Sequence, residues 1–277
     1  MYAVTEREFR AFQQLVYDEA GIQLTPTKKA LLVGRLSRRL RELGLGTFTE
    51  YYERVQGDDR ERIQMLDALC THETQFFREP QQWEFLESRV YPTWRARGAA
   101  GTGPRRIRAW SAACSSGEEP YSLAMSLLAH FPPEDGWSVE IAATDLSTKI
   151  LARAQAALWP IEKARSIPEA WRRRFMLRGV GPQEGWMKAG PELRSVVRFA
   201  RLNLHAARCP VAGPFDLVFC RNVLIYFGTR AKTDVIARLV ARLAPGGLLL
   251  LGHAETLNGL SDALRSVGPT VYGRREA

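Results

Sequence analysis

The sequence predicts an α/β protein: a doubly wound, mostly parallel sheet, preceded by a small all-helical N-terminal domain and interrupted by a small inserted hairpin or lobe. Three observations carry that prediction. Residues 1–70 read as helices only, with apolar residues three and four apart behind helix caps. From 105 onward short apolar runs alternate with helical stretches, the pattern of a parallel sheet covered on both faces. Between two of those units, 178–190 carries Gly179, Gly181, Gly185 and Gly190 and fits no strand-helix unit.

In the first part Thr5 and Glu8 form a capping box ahead of Phe9, Phe12 and Val16. A second helix is predicted over 27–43, with Leu32, Leu36, Leu40 and Leu43 on one stripe and Gly44 as its stop. Thr47 and Glu50 form another capping box, and Ile63, Leu66 and Cys70 mark one more helix. The stretch 98–104 is rich in Gly and Ala and reads as a linker. After it come strands over 107–110, 139–144, 196–202, 215–220, 248–251 and 270–272, and helices over 119–130, 147–157 and 230–243. The domain boundaries expected from this are 1–70, a linker 71–104, and 105–277 with an insert near 175–195.

The 277 residues, 45% of them hydrophobic and 25% charged, suit an ordinary globular protein with room for two unequal domains. The N-terminus has no apolar run of signal-peptide length, and 248–251 is the longest aliphatic run, far short of a bilayer span. The expectation is a soluble, cytoplasmic protein without membrane insertion. Cysteines 70, 114, 209 and 220 form no C-x-x-C pair, and Phe76 stands where a H-E-x-x-H zinc helix beginning at His72 needs its second histidine. No metal is expected.

The net charge of +9 favours an anionic partner without choosing its kind. Lys28, Lys29, Arg35, Arg38, Arg39 and Arg41 follow one another with no acid between 28 and 41. Either a solvated helix face or a docking surface for an acidic partner accounts for them.

Ligands of an open parallel sheet bind where strand ends meet helix N-termini. The run from Ile107 to Ser122 fits that place: the small residues Ser111, Ala112, Ala113, Ser115, Ser116 and Gly117 let a ligand approach the backbone, and Pro120 suits a first helical turn. No G-x-G-x-x-G is present, and Glu118 and Glu119 repel a pyrophosphate but suit a cationic ligand. Asp145, just past the second strand, either accepts hydrogen bonds from ribose hydroxyls or caps the next helix, with Ser147 as a rival cap. Arg221 and Asn222 stand between two apolar runs at the exit of the strand over 215–220.

Together these segments resemble a class I S-adenosylmethionine methyltransferase, and more narrowly the chemotaxis-receptor glutamate methyltransferases (CheR). The resemblance rests on Thr74-Gln-Phe-Phe-Arg-Glu79, the loop from Ser111 to Ser122, Thr144-Asp145, Gly179 to Gly185, Asn203-Leu204, Phe215 to Phe227 and Gly252-His-Ala-Glu255, in family order along nearly the whole chain. It implies S-adenosylmethionine as cofactor, with S-adenosylhomocysteine as product. It also implies cofactor contacts at Glu118 and Asp145, with Asn203, Leu204, Arg221 and Asn222 lining the site and Thr74 and Arg78 closing it. His72 stands where the family often has Asn. The implied reaction methylates glutamate carboxylates of chemoreceptors by in-line displacement. A glutamate is already ionised at neutral pH, its ordinary pKa being about 4.3, so no general base is required. Arg78 is the residue expected to orient the substrate carboxylate, and Tyr226 is either site wall or core. The acidic methylation helix is expected on Lys28, Lys29, Arg35, Arg38 and Arg39. The Gly-rich insert resembles a small β-subdomain that in some family members takes a receptor's C-terminal peptide by strand addition. Two other readings stand beside this one. A nucleic-acid methyltransferase would fit the charge, although base-modifying enzymes commonly carry a proline-rich turn where Arg221-Asn222-Val-Leu stands. A non-catalytic relative would keep the fold without turnover.

Overall fold

The computed structural model describes residues 2–257 and 259–275, so positions 1, 258, 276 and 277 of the expected domains lie outside the described residues. Four helices come first: α1 (Glu6–Ala20), α2 (Lys29–Leu43), α3 (Phe48–Gly57) and α4 (Asp59–Leu69). The Thr5–Glu8 capping box forms in both directions, and Gly21 ends α1 in the left-handed region, as Gly44 ends α2. The second expected capping box forms by half. Thr47 accepts from Glu50 N, but the Glu50 carboxylate reaches one residue too far and takes Gly46 N instead. Cys70 is the C-cap of α4 rather than part of its stripe. The predicted stripes meet in one core: Phe9, Phe12 and Val16 pack with Leu32, Leu36, Leu40, Tyr51, Val55 and Met65.

The stretch read as linker holds a continuous rod: α5 (Pro80–Phe85), a π-helical turn (Leu86–Val90) and α6 (Tyr91–Ala99). Pro92 has no N–H to give the carbonyl four residues back, and the helix widens in the turn ahead of it. Because α6 runs through Ala99, the true linker is shorter than 98–104.

Strands and helices then alternate: β1 (Arg106–Ala112), α7 (Glu118–His130), β2 (Ser138–Asp145), α8 (Thr148–Ala156), β3 (Leu158–Pro160), α9 (Glu169–Phe175), β4 (Met176–Arg178), β5 (Trp186–Ala189), α10 (Pro191–Val196), β6 (Val197–Arg201), β7 (Phe215–Cys220), α11 (Thr229–Val240), β8 (Leu243–Leu251), β9 (Leu264–Gly268) and β10 (Val271–Arg274). The main sheet has the order β6-β2-β1-β7-β8-β10-β9. Its first five strands are parallel, and β10 and β9 close one edge antiparallel. Both faces are dry. Ile107, Leu217 and Phe219 face one cluster, which α7 covers, while Trp110, Val218 and Leu249 face the other, which α11 covers. The sheet is therefore doubly wound, as predicted.

Three boundaries moved. The helix predicted to reach 243 stops at Val240, and β8 starts at Leu243 because Gly246 and Gly247 form a bulge rather than a break. A Cβ on Gly247 would stand 2.8 Å from Phe215 O, so the close approach of the two strands requires glycine there. The insert is a three-stranded antiparallel sheet in the order β3-β5-β4, and its first strand comes from Leu158–Pro160, upstream of the 175–195 stretch.

Candidate active site

In this sheet the chain runs outward from β1 in one direction through β2 and β6 and in the other through β7 and β8, so the switch in strand order lies at β1. A cavity opens at the carboxyl ends of these strands, as the topology dictates. Its walls come from three parts of the chain. The helical part supplies Ala20, Ile22, Leu24, Lys28 and Leu69; the segment after α4 supplies His72, Thr74 and Arg78; the sheet supplies Ala113, Ser115, Glu119, Asp145, Asn203, Leu204, Arg221, Asn222 and Tyr226.

The loop after β1 is held in an unusual backbone path. Ala113 (φ 72°), Ser115 (φ 49°) and Gly117 (φ 96°) all lie in the left-handed region, which is costly for the two that bear a side chain. The neighbouring strand stabilises it: Ala113 N and Cys114 N both donate to Thr144 O at 2.8 Å, and Ser115 N donates to Asp145 Oδ2 at 2.8 Å. Asp145 therefore holds the loop, while Ser147, not Asp145, caps α8 through Ile150 N. Each Asp145 oxygen accepts one backbone N–H and keeps a further acceptor position. Burial pushes its carboxyl above the ordinary range, and burial likewise holds the His72 imidazole below its own against the pull of that carboxylate.

At the exit of β7, Arg221 is buried and donates to Glu119 Oε2 (2.7 Å), Arg78 O (2.6 Å) and Gln82 Oε1 (3.1 Å). Glu79, left-handed at φ 61°, is buried beside it, with its Oε2 3.8 Å from Arg221 and without a hydrogen bond. Asn222 is also left-handed (φ 57°), fixed by its N–H to Glu255 Oε2, which takes Gly252 N as well. Glu255 is thus the clamp of Asn222. The motif containing it was visible in the sequence, but nothing there gave it this role.

The expected site residues divide. Thr74, Arg78, Asp145, Asn203, Leu204, Arg221, Asn222 and Tyr226 line one cavity, and His72 joins them. Glu118 does not. It is fully buried and bound to Lys163 and Ser116, whereas Glu119, one residue on, faces the cavity. Ala112 points into the core on the α11 side, and Ala113 takes its place on the wall. Asn203 uses its amide to bind Glu19 O at 2.5 Å and His205 N at 2.9 Å, tying the helical part down. Arg78 forms no ion pair with Glu79 or Glu84; its guanidinium donates to Glu73 O, within its own segment.

The expected docking face on α2 is largely spent inside the chain. Lys29 pairs with Glu6, Arg38 with Glu42, and Arg39 with Glu42 and the buried Glu61. Arg35 donates to the carbonyls of Leu69 and Cys70 at 2.6 and 2.7 Å, closing the end of α4. Lys28 instead sits 5.2 Å above the Tyr226 ring, at the cavity wall. Glu42 follows the run on the same helix, whereas Glu6, Glu61 and the α4 carbonyls come from elsewhere in the fold, where inspection of 28–41 alone could not reveal them.

The spare acceptor positions of Asp145 at the cavity edge suit a ligand that carries hydroxyl groups, while Glu119 there is paired with Arg221. Among the described residues no group of His, Cys, Asp and Glu is arranged to hold a metal ion, and no helix is long and apolar enough to cross a membrane.

Comparison with known proteins places both parts of the chain in one family. Residues 72–272 match the CheR methyltransferase SAM binding domain, and residues 7–70 match the CheR methyltransferase all-alpha domain. The chain is 39% identical over 271 residues to chemotaxis protein methyltransferase 2 of Pseudomonas aeruginosa, across 97% of this chain and 93% of that protein. It is 37% identical to the chemotaxis protein methyltransferase of Escherichia coli, across 98% of this chain and 91% of that one, and 37% to that of Klebsiella aerogenes, across 98% and 90%.

Proposed function

The chain belongs to the CheR methyltransferase family, whose SAM-binding domain marks it as an S-adenosylmethionine-dependent methyltransferase, and on that premise we propose that its substrate is the glutamate side-chain carboxylate of a chemoreceptor. The products are a glutamate methyl ester and S-adenosylhomocysteine. One observation carries the proposal: a single cavity joins Asp145, whose spare acceptor positions suit a hydroxyl-bearing cofactor, to Arg78, whose guanidinium is bound to no carboxylate among the described residues.

Bound S-adenosylmethionine supplies a methyl group made electrophilic by its sulfonium sulfur. The chain's residues then have two tasks, to hold and to exclude water. Asp145 accepts the ribose hydroxyls with the acceptor positions its backbone partners leave. Asn203, Leu204, Asn222, Arg221 and Thr74 line the remainder. Arg78 offers its planar fork to the two oxygens of the incoming carboxylate, which orients one of them for in-line displacement. Since that carboxylate is already ionised, with an ordinary pKa of about 4.3, no residue need take a proton. Positioning and dry surroundings can supply several kcal/mol. Tyr226 forms the wall on the side where Lys28 enters. The helical part of the chain, 1–70, serves in this account to present the substrate, and 71–104 to bring Thr74 and Arg78 over the cofactor.

Incubation with methyl-labelled cofactor and either receptor-bearing membranes or RNA tests the proposal. Base-labile label on protein is the expected result. Label in RNA, or cofactor binding with no transfer to either, would overturn it.

A further inference from the structure

We infer that an acidic helical segment of the substrate protein reaches the cavity along a groove between α2 and α8, and that Lys149 and Arg153 of α8 recognise it; this rests on the carboxylate-methylation reading above. The groove shares Cys70 and His72 with the wall of the cofactor cavity, so whatever lies in it lies at the cavity's edge. Its α2 side is already neutralised in large part by Glu42 and Glu61.

The α8 side is different. Lys149 and Arg153 stand one turn apart on the same face, both exposed, and neither forms an ion pair among the described residues. Two like charges at this spacing repel, and no ion pair among the described residues offsets them. Asp67 is close but committed: its carboxylate accepts Thr148 N (3.2 Å), Thr148 Oγ1 (3.0 Å) and Lys149 N (3.4 Å), so it binds the first turn of α8 beside the Ser147 cap and forms no ion pair with the Lys149 ammonium.

The distribution of charge along the chain points the same way. Residues 1–70 hold eleven Lys and Arg against eleven Asp and Glu, a net charge of zero, while 145–201 hold twelve against five. The excess that attracts an acidic partner therefore belongs to the α8 side and the insert, not to the helical part. The groove lining contains no Phe, Tyr or Trp, the side chains on which a single-stranded nucleic acid ordinarily stacks its bases. A slot between two helices suits a third helix bearing carboxylates.

The test is steady-state methylation of receptor substrate by the full-length chain carrying K149E and R153E together. At low salt the KM for receptor should rise by about tenfold or more, the scale expected for reversing two docking charges, with kcat and cofactor affinity within about twofold of the unsubstituted protein. That difference should shrink in about 0.5 M salt, where exposed charges are screened. The charge-keeping variant K149R/R153K should retain the original KM. An unchanged KM in K149E/R153E at low salt would overturn the inference, as would an equal rise at every salt concentration or a rise measured on RNA instead of receptor. A parent protein that methylates no receptor at all would instead remove the reading on which the inference rests, so the two failures are told apart.

Discussion

Arg221 donates through Nη1 to the main-chain carbonyl of Arg78 at 2.6 Å, so the strand that ends at Cys220 fixes the segment that carries Arg78 over the cavity. The contact is to the backbone of Arg78, not to its side chain. The backbone is thus held from behind, while the guanidinium, bound to Glu73 O and to no carboxylate among the described residues, can meet an anionic ligand.

Because of that division, Arg78→Ala should leave the segment where it is. Turnover is expected to fall by about a hundredfold or more, on the scale seen when a reacting group is mispositioned, while cofactor affinity stays within a few-fold. Arg78→Lys should be intermediate, since an ammonium keeps the charge but loses the fork. Initial rates with calorimetric cofactor titration check both, and near-normal rates in Arg78→Ala would remove Arg78 from the chemistry.

Arg221→Met should act on the fold. It leaves Glu119 and Glu79 buried beside one another without their counter-charge, and breaking a buried pair in this way costs about 3–5 kcal/mol. Urea unfolding monitored by tryptophan fluorescence should show an earlier midpoint. An unaltered midpoint would mean that the network contributes little to stability.

The Asp145 carboxyl, pushed up by burial, gives a pH dependence of fixed sign. Cofactor affinity requires the carboxylate, so it should be complete above the raised pKa and fall as pH drops through it, beginning above the ordinary aspartate range. The stability linkage runs oppositely: the contribution is present below the unfolded value and is lost as pH rises through the folded one. Asp145→Asn should weaken cofactor binding by about tenfold or more, the worth of a charged hydrogen bond, and flatten its acid limb. An acid limb that survives in Asp145→Asn would assign the titration to another group.

Gly117 combines φ 96° with a close neighbour: a Cβ there would lie 3.1 Å from the Ala154 backbone and 3.4 Å from the Trp159 ring. Gly117→Ala should cost about 1–3 kcal/mol of strain and lower both melting temperature and cofactor affinity. Unchanged melting and binding would show that the loop can move aside.

The parts of the fold legible in the sequence are those in which local pattern and tertiary role coincide. Thr5 and Gly44 act through neighbours a few residues away, the Leu32–Leu36–Leu40 stripe declares its buried face by its spacing alone, and Asp145 follows from its place at a strand end. What was hidden depends on distant partners. Whether Glu118 or Glu119 faces the cavity is decided by Lys163, forty-five residues downstream. The cations of α2 looked free because Glu6 and Glu61 lie outside the run that was read. The rod over 80–99 lies in the stretch 71–104 read as linker, whose Gly- and Ala-rich end at 98–104 masks it, although Trp83, Leu86 and Tyr91 are buried along it. Glu255 acts across thirty-three residues on Asn222, which no spacing rule anticipates.

The central claim is transfer of a methyl group to a glutamate side chain, and tandem mass spectrometry of receptor peptides after incubation with the protein and S-adenosylmethionine tests it most directly. The account predicts a base-labile methyl ester located on glutamate, formed by the unsubstituted protein and lost in Arg78→Ala. A methyl group on lysine, on a nucleobase or on no receptor peptide at all would contradict it.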